Sequence, residues 1–321
     1  MKPRPLDPIF SPASIAVVGA SRRRESLGFR LLHNLVVNEF TGAIYPVNPE
    51  AKAIHSLKCY PTLQAIPDPV DLAVILVPRH LVQGVVEQCV AKGVKGIIVI
   101  TAGFSEIGEE GAERERRLRK IVRAAGIRMI GPNCMGVINT AEEASLDATF
   151  SPTAARPGAI GFVSQSGALG VAILNVAQDL GIGLTQFVSM GNKADVSGND
   201  LLEHWEDDPD TKVICMYLES FGNPRRFTEI AKRVTRKKPI LVVKSGRTAE
   251  GARAASSHTG AMAGADVTVS ALLDQCGVLR ANTIEELFDV CRALVRCPLP
   301  DGTRVGIVTN AGGPAIMATD A

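Results

Sequence analysis

The sequence predicts an α/β protein: one unit wound on both faces of a parallel sheet, a second unit of the same kind, and the opening of a third. Short runs that are apolar throughout alternate with longer stretches of helical spacing, the mark of parallel strands covered on both faces. One form, an apolar strand followed by a small polar turn, a glycine and a helical pattern, occurs at Ala159–Gly167 (AIGFVSQSG) and returns at Arg304–Gly313 (RVGIVTNAGG). The length, 321 residues, exceeds one ordinary domain and fits two with part of another.

The first unit, residues 1–145, opens with the strand Ser14–Gly19 and a helical stretch over Gly28–Val37. Strands are predicted at Ala43–Val47, Leu72–Val77 and Gly96–Ile100, with helices over His80–Lys92 and Glu109–Ala125. The second unit, residues 155–297, begins near Pro157–Gly158. It has strands at Ala159–Val163, Thr185–Ser189, Val213–Leu218 and Ile240–Val243 and helices over Ala168–Leu180 and Asp200–Trp205. A last helix, Thr283–Val295, is opened by a capping box from Thr283 to Glu286. Arg296–Asp301, with Pro298 and Pro300, reads as a linker. Residues 302–321 read as the opening strand and helix of a third α/β unit that is not completed here.

Composition excludes several function classes. Aromatic residues are 4% of the chain and the net charge is +2, so neither base-stacking platforms nor a field for polyanions is expected. The seven cysteines are scattered without CxxC spacing and read as reduced thiols; no metal site is expected. No apolar stretch of membrane-spanning length occurs and the N-terminus has no signal-peptide core, so a soluble, cytoplasmic protein is expected.

Ligand chemistry is expected at the strand ends. In an open parallel sheet the carboxyl ends of the strands line the binding crevice. The first turn, Gly19-Ala20-Ser21-Arg22-Arg23-Arg24 with Gly28 opening the helix, suits a phosphorylated ligand: glycine allows close approach, amides at the helix start bind anions, and arginines add charge. It is not GxGxxG, and the second strand ends in Val47-Asn48-Pro49 without the acidic residue that would hold an NAD ribose, so a nicotinamide-dependent oxidoreductase is disfavoured. Val77-Pro78, Thr101-Ala102-Gly103-Phe104 and Gly131–Gly136 are further strand-end turns. Cys134 could be read as a nucleophile, but no histidine lies near it in sequence and a small buried thiol is the commoner role.

Ser164-Gln165-Ser166-Gly167 also follows a strand and opens a helix, either as an anion site or as an ordinary N-cap. It is not a hydrolase elbow, because GxSxG would need glycine at position 164. The sharpest feature is Lys244–Gly264 (KSGRTAEGARAASSHTGAMAG), a long glycine-punctuated segment with His258 at its centre. A neutral imidazole on an arm with glycine freedom can take up a phosphoryl group and hand it on. His33, His55, His80 and His204 lie in or beside helical or linker patterns and read as inert. Glu219, at the end of a strand, is the carboxylate placed to orient His258; a solvated strand-end glutamate is the alternative.

Together VVGAS (Val17–Ser21), YPVNP (Tyr45–Pro49), GPNCMG (Gly131–Gly136), SQSGALG (Ser164–Gly170) and SHTGAMAG (Ser257–Gly264) resemble the α-subunit of succinyl-CoA synthetase and, more closely, the ADP-forming acetyl-CoA synthetases, through essentially the whole chain. The resemblance implies a Rossmann-like CoA-binding domain followed by a flavodoxin-like domain of the succinyl-CoA-synthetase type. CoA would lie along Gly19, Ala20, Ser21, Arg22, Asn48, Pro49, Val77 and Pro78, with its thiol arm toward Thr101, Asn133 and Cys134. The phosphate of a phosphohistidine at His258, supported by Glu219, would rest on Ser164, Gln165, Ser166 and Gly167. Acyl-CoA, phosphate and ADP would give free acid, CoA and ATP, reversibly. ADP or ATP and magnesium would bind outside this chain, on an ATP-grasp partner subunit or fused domain, in an oligomer acting on a short-chain carboxylic acid. The rival readings are an acyl-CoA-sensing module of a protein acetyltransferase and a non-catalytic CoA-binding protein.

Overall fold

In the computed structural model, residues 5–248, 250–251, 266–298 and 302–321 are described. A short helix, α1 (Asp7–Phe10), precedes a five-stranded sheet made of β1 (Ser14–Val18), β2 (Ala43–Val47), β5 (Leu72–Ile75), β6 (Gly96–Val99) and β7 (Arg128–Ile130). Its order is β2-β1-β5-β6-β7 and every pairing is parallel. Between β2 and β5 lies a small antiparallel ladder of β3 (Ala53–Ile54) and β4 (Leu57–Lys58). The helices are α2 (Leu27–Val37), α3 (Arg79–Lys92) and α4 (Glu109–Ala124). Alternation on β1 divides the core: Ile15 and Val17 join the layer that contains α2, and Ala16 and Val18 the layer containing α3 and α4.

The first sheet closes at Ile130. The next two strands, β8 (Gly136–Asn139) and β9 (Leu146–Thr149), form an antiparallel hairpin that belongs to the second sheet. The expected first unit, drawn to residue 145, therefore contains one strand, β8, that pairs in the second sheet, and β9 follows just past that boundary. The remaining strands of that sheet are β10 (Arg156–Ser164), β11 (Gly183–Ser189), β12 (Val213–Leu218), β13 (Ile240–Lys244) and β14 (Leu279–Ala281). The order is β14-β13-β12-β10-β11-β8-β9, parallel except where β8 meets β11 and β9 meets β8. Helices α5 (Gly167–Asp179), α6 (Gly198–Glu206), α7 (Pro224–Val234), α8 (Asp266–Gln275) and α9 (Ile284–Arg296) cover it.

The two units share one apolar core, running from Ile15, Val17 and Leu31 through Val137 and Leu146 to Val188, Trp205 and Met216. Polar bonds cross the same seam. Asn34 of α2 donates to the carbonyls of Thr149 and Ser151 (2.9 and 2.8 Å), and Asn139 donates to the carbonyl of Phe10 (2.9 Å). Arg128, 6% exposed, bonds Asp195 at 2.9 Å and Asp200 at 3.1 Å across it.

Two expectations change. Thr283 caps α9 by accepting from the Glu286 amide, but the Glu286 carboxylate accepts from the amide of Asn282 and not from Thr283 itself. Arg304–Asn310 forms no strand: a strand needs a ladder partner, and this segment has none among the described residues, leaving Val305 and Val308 exposed. The expected helix does follow, as α10 (Gly312–Asp320).

Candidate functional site

The carboxyl edge of the first sheet brings the strand-end turns into a row. Strand order sets Asn48, Gly19, Val77, Thr101 and Asn133 side by side over four strand spacings, roughly 19 Å at ~4.8 Å each. Hydrogen bonds join neighbours along the row. Asn48 donates to the carbonyl of Ala20 (2.8 Å), the Gly19 amide to Val47 (3.1 Å), the Thr101 hydroxyl to the carbonyl of Val77 (2.8 Å), and the Asn133 amide to Thr101 (3.0 Å). Gly19 has φ +96°, and a Cβ on Gly28 would sit 2.1 Å from the Gly19 carbonyl oxygen. The first turn is thus compressed as far as backbone allows, with Ser26 capping α2 and Arg22, Arg23 and Arg24 exposed at its rim. Pro49 and Pro78 are exposed along the same edge.

At the Asn133 end the row enters a cavity of about 780 Å³ between the two sheets. Thr101, Asn133 and Cys134 line it from the first unit; Gln165, Ser166, Gly167, Lys193, Glu219 and Ser220 line it from the second. Helix α5 starts here. Ser166 is its N-cap and accepts from the Leu169 amide at 3.3 Å, so the helix's positive end opens on the cavity. Gln165 is buried, and its side-chain oxygen accepts from the amides of Glu219 (2.9 Å) and Ser220 (3.0 Å), locking the end of β12 to the start of α5. Ser164 differs from its neighbours. It is fully buried, its hydroxyl donates to the carbonyl of Ser166 at 2.6 Å, and it serves the turn without lining the cavity.

Cys134 is no nucleophile here. Its thiol is buried, donates to the carbonyl of Val99 at 3.3 Å, and is pushed by burial up to about 12. The cysteines among the described residues are buried except Cys297. His204 stacks on Phe10 with centroids 4.7 Å apart, and His33 and His55 stack together beside Phe29. His258 lies outside the described residues, as do its neighbours Ser256, Ser257 and Thr259. The chain heads toward that segment from Lys244, the register partner of Leu218, one strand away from Glu219.

Sequence reasoning missed the other wall. The turn after β11, Gly191-Asn192-Lys193, packs on the Gly131–Cys134 turn: the Asn192 amide donates to Pro132 (2.9 Å) and the Ala194 amide to Gly131 (3.1 Å). A Cβ on Gly191 would meet the Pro132 carbonyl oxygen at 2.3 Å. Asn192 donates to Glu106 (2.6 Å) and Glu115 (2.9 Å), and Asn133 donates to the Asn192 side-chain oxygen (3.3 Å). Burial raises the Glu106 carboxyl, but bonds from Asn192 and the Gly103 and Phe104 amides outweigh it and hold the group below the usual range. Lys193 bonds the carbonyl and hydroxyl of Ser220 at 3.0 and 2.7 Å. Burial brings its ammonium down to about 8, against an upward pull from Glu219 and with a further push down from Lys244. The available signal was positional, since Gly191 follows a strand end as the other site glycines do.

A track along one sheet edge that empties into a cavity under a helix N-terminus of a second sheet defines a two-domain α/β ligand-binding enzyme. Family models match both halves: a CoA binding domain over residues 13–140 and a succinyl-CoA ligase like flavodoxin domain over residues 157–294. The chain is 47% identical over 320 residues to the α subunit of acetate–CoA ligase [ADP-forming] I of Pyrococcus furiosus, covering 98% of this chain and 69% of that protein. It is 44% identical over 312 residues to acetate–CoA ligase [ADP-forming] of Methanocaldococcus jannaschii, covering 97% of this chain and 43% of that protein. Among solved structures it is similar to the dinucleotide forming acetyl-coenzyme A synthetase 1 of Ca. Korarchaeum cryptofilum in complex with phosphate and ADP. The TM-score is 0.94 at 43% identity, over 99% of this chain and 68% of that one. The chain belongs to the family of ADP-forming acetate–CoA ligase α subunits. Among the described residues no helix is long and apolar enough to cross a membrane, and no group of three or more His, Cys, Asp or Glu is placed to hold a metal ion.

Proposed function

We propose that this chain supplies the CoA site and the phosphoryl carrier of an ADP-forming acyl-CoA ligase, with the nucleotide and its magnesium on an ATP-grasp partner subunit or domain. The observation that carries this is the convergence, in one cavity, of the first sheet's ligand track with Glu219 and the start of α5. An extended ligand on the track has its phosphates at the Gly19–Arg22 turn and its thiol end beside Thr101 and Asn133. The cavity then has room for a short acyl group and a phosphate.

An oxygen of hydrogen phosphate attacks the thioester carbonyl; the new C–O bond forms as the C–S bond breaks, and the sulfur leaves and takes up the proton lost by the phosphate to become the CoA thiol. A ring nitrogen of His258 then attacks phosphorus, and the P–O bond to the acyl oxygen breaks to release the carboxylate. Glu219 orients the imidazole through its other nitrogen and stabilises the charge it gains. The Gln165 bonds to the Glu219 and Ser220 amides fix that carboxylate's backbone relative to α5, whose first amides hold the phosphoryl oxygens. Transfer to ADP at the partner's site returns His258 to its resting state. The acyl-CoA-sensing alternative uses only the track and gives Glu219 and α5 no task.

The test is phosphoenzyme formation. The chain with its nucleotide-binding partner is incubated with γ-labelled ATP and magnesium. Label stable in alkali, lost in acid and absent in His258→Ala is the expected result. Tight CoA binding with no label in the unsubstituted enzyme refutes the ligase reading.

A further inference from the structure

We propose that Lys193, on the turn between β11 and α6, is a direct ligand of the transferring phosphoryl group, held across the cavity from its partner strand ends by Ser220. The inference rests on the ligase reading above. It adds a cation that the sequence motifs do not contain.

The geometry begins with the backbone. Lys193 sits at φ +60°, a left-handed conformation that non-glycine residues rarely adopt and that here recurs in a cavity wall. The surrounding bonds hold it there: the Asn192 and Ala194 amides on either side are tied to Pro132 and Gly131. The side chain therefore leaves a fixed point. Its ammonium reaches Ser220, whose own amide is bound by Gln165, the residue just before the α5 N-cap. Two steps of hydrogen bonding thus connect the ammonium to the phosphate corner. Among the described residues its bonds go to the Ser220 carbonyl and hydroxyl, which use two of three ammonium hydrogens and leave the third for a ligand.

Charge argues the same way. A phosphate dianion in a half-enclosed cavity needs a fixed cation, and a helix end supplies only about half a charge. The groups whose charge acts on Lys193 are Glu219 at the end of β12 and Lys244 at the end of β13. Glu106, Glu115 and Arg119 line the cavity from the α4 side. Arg119 lines the α4 side of the cavity, whereas Lys193 is the cation bonded to Ser220, beside Glu219 and the Gln165 link to α5. In its protonated form it supplies charge and a hydrogen bond and gives up no proton during turnover. The acyl phosphate keeps the same phosphoryl oxygens as the phosphate that made it, so one ligand serves both.

The complete enzyme, with its nucleotide-binding partner, is assayed in the direction that consumes acyl-CoA. Lys193→Met is expected to raise the KM for phosphate by about tenfold to a hundredfold, the usual range for a lost charge-assisted hydrogen bond, with the KM for CoA in the reverse reaction unchanged. Lys193→Arg should recover most of the loss. In the unsubstituted enzyme, kcat/KM for phosphate should fall as pH rises through about 8, where the free ammonium titrates and phosphate is already dianionic. Lys193→Arg should abolish that fall. An unchanged phosphate KM in Lys193→Met overturns the proposal. If that variant does not fold, a flat pH profile in the unsubstituted enzyme overturns it instead. A rise confined to the KM of the carboxylic acid reassigns Lys193 to the acyl end and also overturns it. An unsubstituted complex that makes no acid and ATP refutes the ligase reading, an outcome separate from all of these.

Discussion

Replacing Arg128 with methionine keeps the side-chain volume and removes the charge that joins the two units. Arg128 opens β7 and is 7% exposed at its side chain, Asp195 is 2% and Asp200 11%. The Met129 amide adds a bond to Asp195 at 3.1 Å. Removing one member of a buried ion pair strands the other and costs about 3–5 kcal/mol. Two arginines remain, Arg123 at 3.7 Å from Asp195 and Arg226 at 3.3 Å from Asp200, but they are 58% and 40% exposed and screened by water. The expected loss is therefore at the low end, about 3 kcal/mol, which for domains of this size lowers Tm by roughly 6–12 °C. Thermal unfolding followed by far-UV circular dichroism reads it. In a cycle with Asp195→Asn the double variant should lose less than the sum of the singles, with a coupling of about 1 kcal/mol or more. The acid limb gives an independent check. Burial raises the Asp200 carboxyl, but the Ser197 bonds and the charges of Arg128 and Arg226 outweigh it, so its pKa lies below its ordinary value. Its contribution is present above the unfolded carboxylate range and is lost as pH falls through the depressed folded value. Without Arg128 that depression shrinks, and acid unfolding should begin at higher pH. A Tm change under about 2 °C with additive singles would refute the idea that this pair carries the seam.

Gly28→Ala forces a Cβ to 2.1 Å from the Gly19 carbonyl, backbone that cannot step aside. It should cost about 1–3 kcal/mol and weaken CoA binding at least tenfold by titration calorimetry; unchanged affinity would remove the Gly19 turn from the CoA site. Gln165→Ala leaves the Glu219 and Ser220 amides without their acceptor, at about 1–3 kcal/mol, and should cut phosphoenzyme yield more than CoA affinity. Equal losses in both would contradict its placement at the phosphate corner. Asp147, buried and bonded to the Thr149 amide and hydroxyl, is raised by burial to about 7. The folded state holds its proton where the unfolded state has released it, so stability declines as pH rises from about 4 to about 7. Asp147→Asn should flatten that decline and stabilise the protein at pH 8 by up to about 4 kcal/mol; an unaltered pH dependence of Tm would contradict the assignment.

The parallel strands were legible because burial on both faces writes itself as unbroken apolar runs; Val213–Leu218 and Ala43–Val47 form to the residue. Helix α7 was equally available: Asn223 caps it, Pro224 starts it, and Phe227, Ile230, Ala231 and Val234 form its buried stripe. The β8–β9 hairpin was not, since its four-residue strands, Gly-Val-Ile-Asn and Leu-Asp-Ala-Thr, carry no continuous apolar run and no label for the sheet they join. The site divides in the same way. Turns that follow strands and carry glycine could be read as ligand contacts, and Thr101, Asn133, Gln165, Ser166 and Gly167 do come together in one cavity. Which of them spend their polar atoms on the turn itself, as Ser164 does, depends on neighbours distant in sequence. Lys193 and Asn192 were silent because their partners lie 27 and 86 residues away.

The hairpin at the outer edge of the second sheet also fixes how this molecule can be taken apart. During synthesis residues 136–149 emerge before β10 and β11 exist, and a lone hairpin is marginal in water, so the ribbon gains its lasting partner only when β11 arrives. A gene cut placed at residue 150 would separate that ribbon from its sheet and expose the long side of β11 as an unpaired edge. Cleavage of the already folded chain in that same loop before β10, by contrast, would leave both pieces clasped by the shared core.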